Sequence, residues 1–176
     1  MRFAIIGNSG SGKSTLAASL AALHAASLLD LDTIAWVPGK VAVPRDPRHA
    51  ADDLRAFCSS HQSFVVEGCY ENLIGATFPF APMLIYLDVD VETCLRHCRE
   101  RPFEPHKYAS RSEQDEKLAL LLGWVRDYYT REGAMSRSEH IRLFDSYQGP
   151  KAPYHQEVVV ASNGEIHERA RPGATP

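Results

Sequence analysis

Hydrophobic positions along the chain follow two rhythms, short apolar runs and longer stretches spaced like the face of a helix. Arg2 to Ile6 is a β-branched and aromatic run ending at Gly7, which predicts a buried strand. From Lys13 to Ala25, Leu16, Leu20 and Leu23 recur at helical spacing among alanines. Ser27 to Asp32 predicts a second strand ending in two carboxylates. Asp46-Pro47 sets a capping side chain before a proline at the first helical position. That helix is expected to reach about Ser60 and to bury Ala51, Leu54, Phe57 and Cys58. Ser63 to Glu67 and Pro82 to Asp88 predict the third and fourth strands. The fourth is nearly all apolar, as a strand covered on both faces requires.

Asp90 caps a predicted helix that carries Cys94 and Cys98 to about Glu100. Arg101 to Ser110, with two prolines and several basic groups, reads as a loop. Ser110-Arg111-Ser112-Glu113 has the form of a capping box. It opens a long helix with Leu118, Leu121, Leu122, Val125 and Tyr128 on one stripe. Met135 to Tyr147 is read as helical, Glu157 to Val160 as a fifth strand, and residues 171–176 as a flexible tail. Strands alternating with helices predict a three-layer α/β/α fold around a parallel sheet with right-handed connections. We expect one domain over residues 1–170, with a lid-like insertion around 101–112.

Composition narrows the partners. The 176 residues are 44% hydrophobic and 23% charged, with a formal charge of −3. Such a balance offers no broad basic surface and argues against a nucleic-acid partner. The longest apolar runs, Met83 to Leu87 and Val158 to Ala161, are far too short to span a bilayer. The first residues read as a strand, not an export signal, so a cytoplasmic setting is expected. Cys58, Cys69, Cys94 and Cys98 form no C-x-x-C pair and are expected to be free thiols.

The strongest chemical signal is Gly7-Asn8-Ser9-Gly10-Ser11-Gly12-Lys13-Ser14, which matches G-x-x-x-x-G-K-[ST]. By chance it arises in under roughly one in a hundred chains of this length. Here it also falls between a strand and a helix. Glycines permit the backbone turns that aim successive N–H groups at phosphate oxygens, and the following helix directs its positive end there. Residues Gly7 to Thr15 are therefore the candidate site for a nucleotide triphosphate, expected to be ATP. Lys13 is expected to reach the β- and γ-phosphates, and Ser14 to ligate Mg²⁺.

In open α/β sheets ligands bind beyond the carboxyl ends of the strands. Asp30 and Asp32 end the second strand. Alternation puts them on one side, where one could hold the metal and the other accept a proton from an attacking hydroxyl. Glu67 and Asp88 compete to be the acidic group beside the metal, and the strand adjacent to the phosphate loop decides between them. Asp88 otherwise serves as a turn or capping residue. Arg96, Arg99, Arg101, His106, Lys107 and Arg111 fall within sixteen residues. Arg101 and one or two others are candidates to close over phosphate, the alternative being a solvated face. Trp36, Tyr70, Tyr128 and Tyr129 could line an acceptor pocket, but isolated aromatics are more often core or rim. No ligand pattern emerges from the histidines.

With these residues in place, the chain resembles the P-loop kinase superfamily that contains shikimate, gluconate and adenylate kinases. It looks most like the small bacterial adenylate-kinase-like proteins labelled topology-modulation proteins. The resemblance covers about residues 2 to 130. It rests on the phosphate loop, on Leu29-Asp30-Leu31-Asp32 with Trp36, and on Val65-Val66-Glu67-Gly68-Cys69-Tyr70. It implies a five-stranded parallel sheet of order 2-3-1-4-5, Mg²⁺ held by Ser14, Asp32 and Glu67, and an acceptor bound near Asp30, Asp32, Gly68 and Arg126. Arg101-Pro102 is similar to the lid arginine of shikimate kinases, and Val158 to Gly164 to the segment that holds adenine in nucleotide kinases. Shikimate kinases carry three successive glycines after the third strand, and here only Gly68 stands there. The reading that follows is an ATP-dependent kinase, catalysed by Lys13, Asp32, Glu67 and Arg101. It would act on a small-molecule acceptor, as a monomer or homodimer. The alternative is a nucleotide-dependent regulatory ATPase with no such acceptor.

Overall fold

The protein is described by a computed structural model covering residues 1–37, 43–103 and 109–169. The expected tail at 171–176 and His106 and Lys107 of the basic loop lie outside the described residues. Strand β1 (Arg2–Gly7) leads through the phosphate loop into helix α1 (Lys13–His24). Then follow β2 (Ser27–Asp30), the short α2 (Asp32–Ala35), α3 (Pro47–Ser60), β3 (Phe64–Gly68) and α4 (Glu71–Ala76). The second half holds β4 (Met83–Leu87), α5 (Val91–Glu100), α6 (Arg111–Arg126), α7 (Arg137–Ser146) and β5 (Lys151–Tyr154). A separate hairpin is formed by β6 (Val158–Val160) and β7 (Ile166–Glu168).

The main sheet is parallel, in the order β2-β3-β1-β4-β5. Its centre is β1, where residues 3 to 7 are all buried because helices cover both faces. Alternation divides the core: Phe3 and Ile5 join Leu16, Leu20, Leu95 and Val125 on one face. Ala4 and Ile6 join Leu54, Phe64, Ile74 and Leu84 on the other. The register sets Ile5 beside Glu67 and Ile6 beside Gly68, so β3 brings its acidic end next to the phosphate loop.

The helix starts form as the side chains dictate. Asp46 Oδ1 accepts from the Arg48 amide at 2.8 Å, with Pro47 at the first position. Asp90 Oδ1 accepts from the Thr93 amide at 2.9 Å. Ser110 Oγ accepts from the Glu113 amide, while Glu113 reaches back past the cap to the amide of Ala109. On α3 the buried stripe is Ala50, Leu54 and Cys58, with Ala51 and Phe57 only partly covered. On α6, Val125 is buried, and Tyr128 is buried in the 3₁₀ turn that follows.

The structure corrects two expectations and adds one element. The fifth strand of the sheet is Lys151–Tyr154, not Glu157 to Val160. The valine run has the stronger strand propensity, but it pairs with Ile166–Glu168 and packs on α1 and the adjoining core. The true strand lies at a sheet edge, where Pro153 can be accommodated. Secondly, β2 stops at Asp30 and Asp32 opens α2, so the alternation argument that put both carboxylates on one side of a strand fails. Thirdly, α4 begins immediately beyond the Gly68-Cys69-Tyr70 turn, a helix too short for periodicity to reveal.

Candidate functional site

The phosphate loop rises from the end of β1 and closes onto α1, as its sequence requires. Gly10 adopts φ +79, and a Cβ there would lie 2.3 Å from the Cys94 carbonyl oxygen. Only glycine fits between the loop crest and α5. Gly12, also left-handed, caps α1 with no side chain of its own, so the first-turn amides lack a side-chain acceptor. Asn8 is buried beneath the loop, donating to the Val125 carbonyl at 3.1 Å and accepting from the Ser9 amide at 2.9 Å. Ser11 Oγ is buried with no hydrogen-bond partner. Ser14 and Thr15 are exposed at the start of α1.

Lys13 is 7% exposed, and its ammonium donates to the Asn8 carbonyl at 2.8 Å. Burial works against this charge, but the facing Cys69, Glu67 and Asp32 outweigh it, and the pKa lies above the ordinary lysine value. Glu67, at the end of β3, is 4% exposed. Its Oε1 accepts from Ser14 Oγ at 2.6 Å. Burial pushes the Glu67 carboxyl up; Lys13 opposes that and Asp30 adds to it. Of the two acids weighed in the sequence, Glu67 ends the strand beside β1 and meets the phosphate loop. Asp88 lies beyond β4, where Arg137 Nε and Nη2 grip it at 2.9 and 2.6 Å, and Tyr86 donates to it at 3.1 Å. Burial would raise the Asp88 pKa, but the Arg137 hydrogen bonds hold it below the usual carboxylate value. Asp88 is half of an ion pair tying α7 to the sheet.

Asp30 and Asp32 converge on the loop by a turn instead of a strand face. Asp30 Oδ1 accepts from the Asp32 amide at 2.9 Å. Asp32 Oδ1 accepts from the Tyr70 hydroxyl at 2.7 Å, and that hydroxyl accepts from Trp36 Nε1 at 2.7 Å. Burial, then the neighbouring Asp32, push the Tyr70 pKa upward, so the phenol stays protonated as a donor. Of the four aromatics noted in the sequence, Trp36 and Tyr70 thus hold a candidate base. Tyr128 is fully buried core, and Tyr129 lies exposed under the Arg137 guanidinium.

A second chain of bonds supports the turn after β3. His140, wholly buried, meets the Cys69 carbonyl at 2.8 Å through Nε2 and the Tyr128 hydroxyl at 2.7 Å through Nδ1. Tyr128 in turn meets Tyr86 at 3.2 Å. Since a carbonyl only accepts, Nε2 carries the proton and Nδ1 accepts from Tyr128. Burial pushes the His140 pKa down to about 4, so the ring is neutral. Across the loop, His97 spans from the Gly10 carbonyl to Glu157, with both contacts at 2.7 Å.

The basic residues separate into different roles. Arg96 pairs with Glu157 at 2.6 Å and Arg111 with Asp115 at 3.2 Å, which makes them helix-surface cations. Arg99 is exposed. Arg101 is half-buried at the end of α5 and donates toward Cys98 Sγ at 3.9 Å. Arg126 is exposed in the last turn of α6 and makes no hydrogen bond or ion pair among the described residues. Arg131, like Arg137, is a basic residue that the sequence reading does not single out. It sits in the irregular segment between α6 and α7, beside the Cys69 turn, and no spacing rule marks it. Two open grooves flank α4, about 460 Å³ against α3 and about 310 Å³ against α7. Among the described residues no cluster of three or more potential ligands could hold a metal by itself, and no helix is long and apolar enough to cross a membrane. The cysteines are free; burial pushes Cys58 up to about 11 and Cys94 up to about 12.

Solved structures similar to this chain include a sugar kinase from Janibacter sp. HTCC2649. It is 14% identical, with 87% of this chain and 83% of that one covered and a TM-score of 0.48. Shikimate kinase from Aquifex aeolicus vf5 is 16% identical over 87% of this chain and 85% of that one, with a TM-score of 0.46. A gluconokinase from Sinorhizobium meliloti 1021 is 16% identical over 81% and 92%, with a TM-score of 0.40. The likeness is one of fold and carries nothing about substrate. No family model matches the chain, and no curated protein does either.

Proposed function

We propose that this chain is a kinase that moves the γ-phosphoryl group of Mg·ATP to a hydroxyl of a small-molecule acceptor. The observation that carries the reading is the 2.6 Å bond between Ser14 Oγ and Glu67, formed where the strand adjacent to β1 ends beside the phosphate loop. A hydroxyl and a carboxylate so placed, next to a buried lysine, form a cation-and-phosphate site. The orphaned Ser11 hydroxyl and the uncapped first turn of α1 fit an incoming polyanion.

In this reading the loop amides and Lys13 hold the β- and γ-phosphates, the facing acidic groups keeping the ammonium charged. Ser14 would hold Mg²⁺, with Glu67 and Asp32 ordering its surroundings. When bound, the ion neutralises charge on the phosphate oxygens. Asp32 takes the proton of the acceptor hydroxyl, and the bond from Tyr70 fixes its orientation. Asp30 holds the turn by its bond to the Asp32 amide. Gly68 lets Leu31 and Tyr70 pack closely where the chain leaves β3, which holds the turn beside Asp32. Arg101 and Arg126 stand outside this inner set; their part would be to approach from the segment around the lid and the end of α6.

The test is transfer of label from γ-labelled ATP across a panel of hydroxylated metabolites, nucleosides and nucleotides. We expect a labelled product that disappears in Lys13→Ala and falls at least tenfold in Asp32→Asn. Release of labelled phosphate alone, with no labelled product from any acceptor, would sink the kinase reading in favour of a regulatory ATPase.

A further inference from the structure

The peptide that joins Gly10 to Ser11, at the crest of the phosphate loop, is gripped at both ends. Its N–H donates to the Asn8 carbonyl at 3.2 Å, the same oxygen that accepts from the Lys13 ammonium. In a trans peptide the carbonyl points the opposite way, and here it meets His97 Nδ1 at 2.7 Å. Gly10 stands at φ +79, and a glycine beside a peptide makes rotation of its plane cheap. Rotation at this position would swing a carbonyl toward the loop interior, where inward N–H groups are what an anion requires. Holding the plane therefore falls to a group outside the loop.

His97 projects from α5, and its far nitrogen, Nε2, meets Glu157 Oε1 at 2.7 Å. Glu157 directly precedes β6 and is itself anchored. Its carbonyl accepts from the Arg169 amide, just past β7, at 2.6 Å, and its Oε1 accepts from Arg96 Nη2 at 2.6 Å. Arg169 Nη1 adds a longer contact to Oε2 at 3.6 Å. The hairpin is seated on the core, where Val158, Val160 and Ile166 pack against the cluster that holds Leu16 and Leu20 of α1. The Arg96 hydrogen bond, then that of His97, hold the Glu157 carboxyl below the usual carboxylate range, so it stays a charged acceptor. A carboxylate on the hairpin thus reaches the loop crest through one imidazole.

We propose that Glu157 is a positioning residue of the phosphate loop: by orienting His97 it keeps the Gly10 carbonyl facing outward, and so makes nucleotide affinity depend on the β6–β7 hairpin. An imidazole on a helix surface has several rotamers open to it, and a carboxylate on its far nitrogen selects one. The dependence runs both ways, so nucleotide on the loop should steady the hairpin. The effect on ATP rests on the kinase reading, but the brace from hairpin to loop does not.

The experiment records the NMR amide signals of Gly10 and Ser11 in the full-length chain, and measures the affinity for adenylyl imidodiphosphate with Mg²⁺ by calorimetry. In Glu157→Ala we expect both amides to shift before any nucleotide is added. The Kd should rise about fivefold or more, the worth of one lost hydrogen bond. Glu157→Gln, which keeps an oxygen for His97, should stay within about twofold of the parent. Arg96→Gln removes the ion pair but leaves the imidazole contacts, and should move neither readout. Because Glu157 acts through His97, adding Glu157→Ala to His97→Ala should weaken binding no further. A residue that only seats the hairpin would lower the melting temperature and leave the loop amides where they were. Unmoved loop amides in Glu157→Ala, equal damage from Arg96→Gln, or alanine effects that add in the double variant overturns the proposal. Loop amides that move in Glu157→Ala, in a chain whose parent ignores the analogue, would uphold the brace and remove the kinase.

Discussion

Gly10 and Gly12 share a sign of φ but not a neighbourhood, and substitution separates the two effects. Gly12 at φ +93 has nothing within 4 Å of an added Cβ, so Gly12→Ala should cost only the backbone term, about 1–2 kcal/mol. At Gly10 the same term is joined by collision with Cys94 and Cys98. Gly10→Ala should cost about 3 kcal/mol or more and weaken nucleotide binding, because α5 and the loop crest must separate. Urea unfolding of both variants checks the ordering. Glu67 offers a second comparison. Its carboxyl is raised by burial, so the protein gives up stability as pH climbs and the group is forced to ionise. Glu67→Gln removes that cost while its amide oxygen can still accept from Ser14. We expect a higher melting temperature without nucleotide and turnover at least tenfold lower, a site that sacrifices stability for chemistry. A lower melting temperature would contradict the burial argument.

At the scale of elements, His140 decides how well α7 supports the turn after β3. Its folded pKa of about 4 lies below the ordinary histidine value of about 6.5. Stability is therefore full above pH 6.5 and lost as pH falls toward 4, by about 3 kcal/mol for this one group. His140→Gln, which keeps a donor and an acceptor but does not titrate, should flatten that part of the profile in urea unfolding measured across pH. Elements were legible in the sequence where one physical rule ruled alone. The apolar run at β4, the caps at Asp46, Asp90 and Ser110, and the glycines before Lys13 are such cases. Where a tertiary contact overrode a local preference, the reading failed. Lys151–Tyr154 is a strand because an edge is available beside β4, whereas Val158–Val160 found its own partner. Asp32 reaches the loop through a helical turn that alternation does not reveal. The phosphate loop was thus readable, and the turns that bring Asp32 and Tyr70 together beside it were not.

The whole molecule is organised around β1, which stands between β3 and β4. The binding loop therefore hangs from a strand whose two neighbours are both remote in sequence: Arg2 aligns with Phe64, and Phe3 with Met83. Pairing Phe3 with either neighbour closes a long stretch of chain before any sheet contact repays the entropy. During synthesis β1 consequently lacks one of its walls until Leu87 has emerged. A nascent chain halted short of Leu87 should expose its opening strand to protease and fail to retain ATP, whereas one released beyond Tyr154 should protect both. If the shorter chain already resists cleavage, assembly begins from an N-terminal nucleus instead, and the early residues wait for no one.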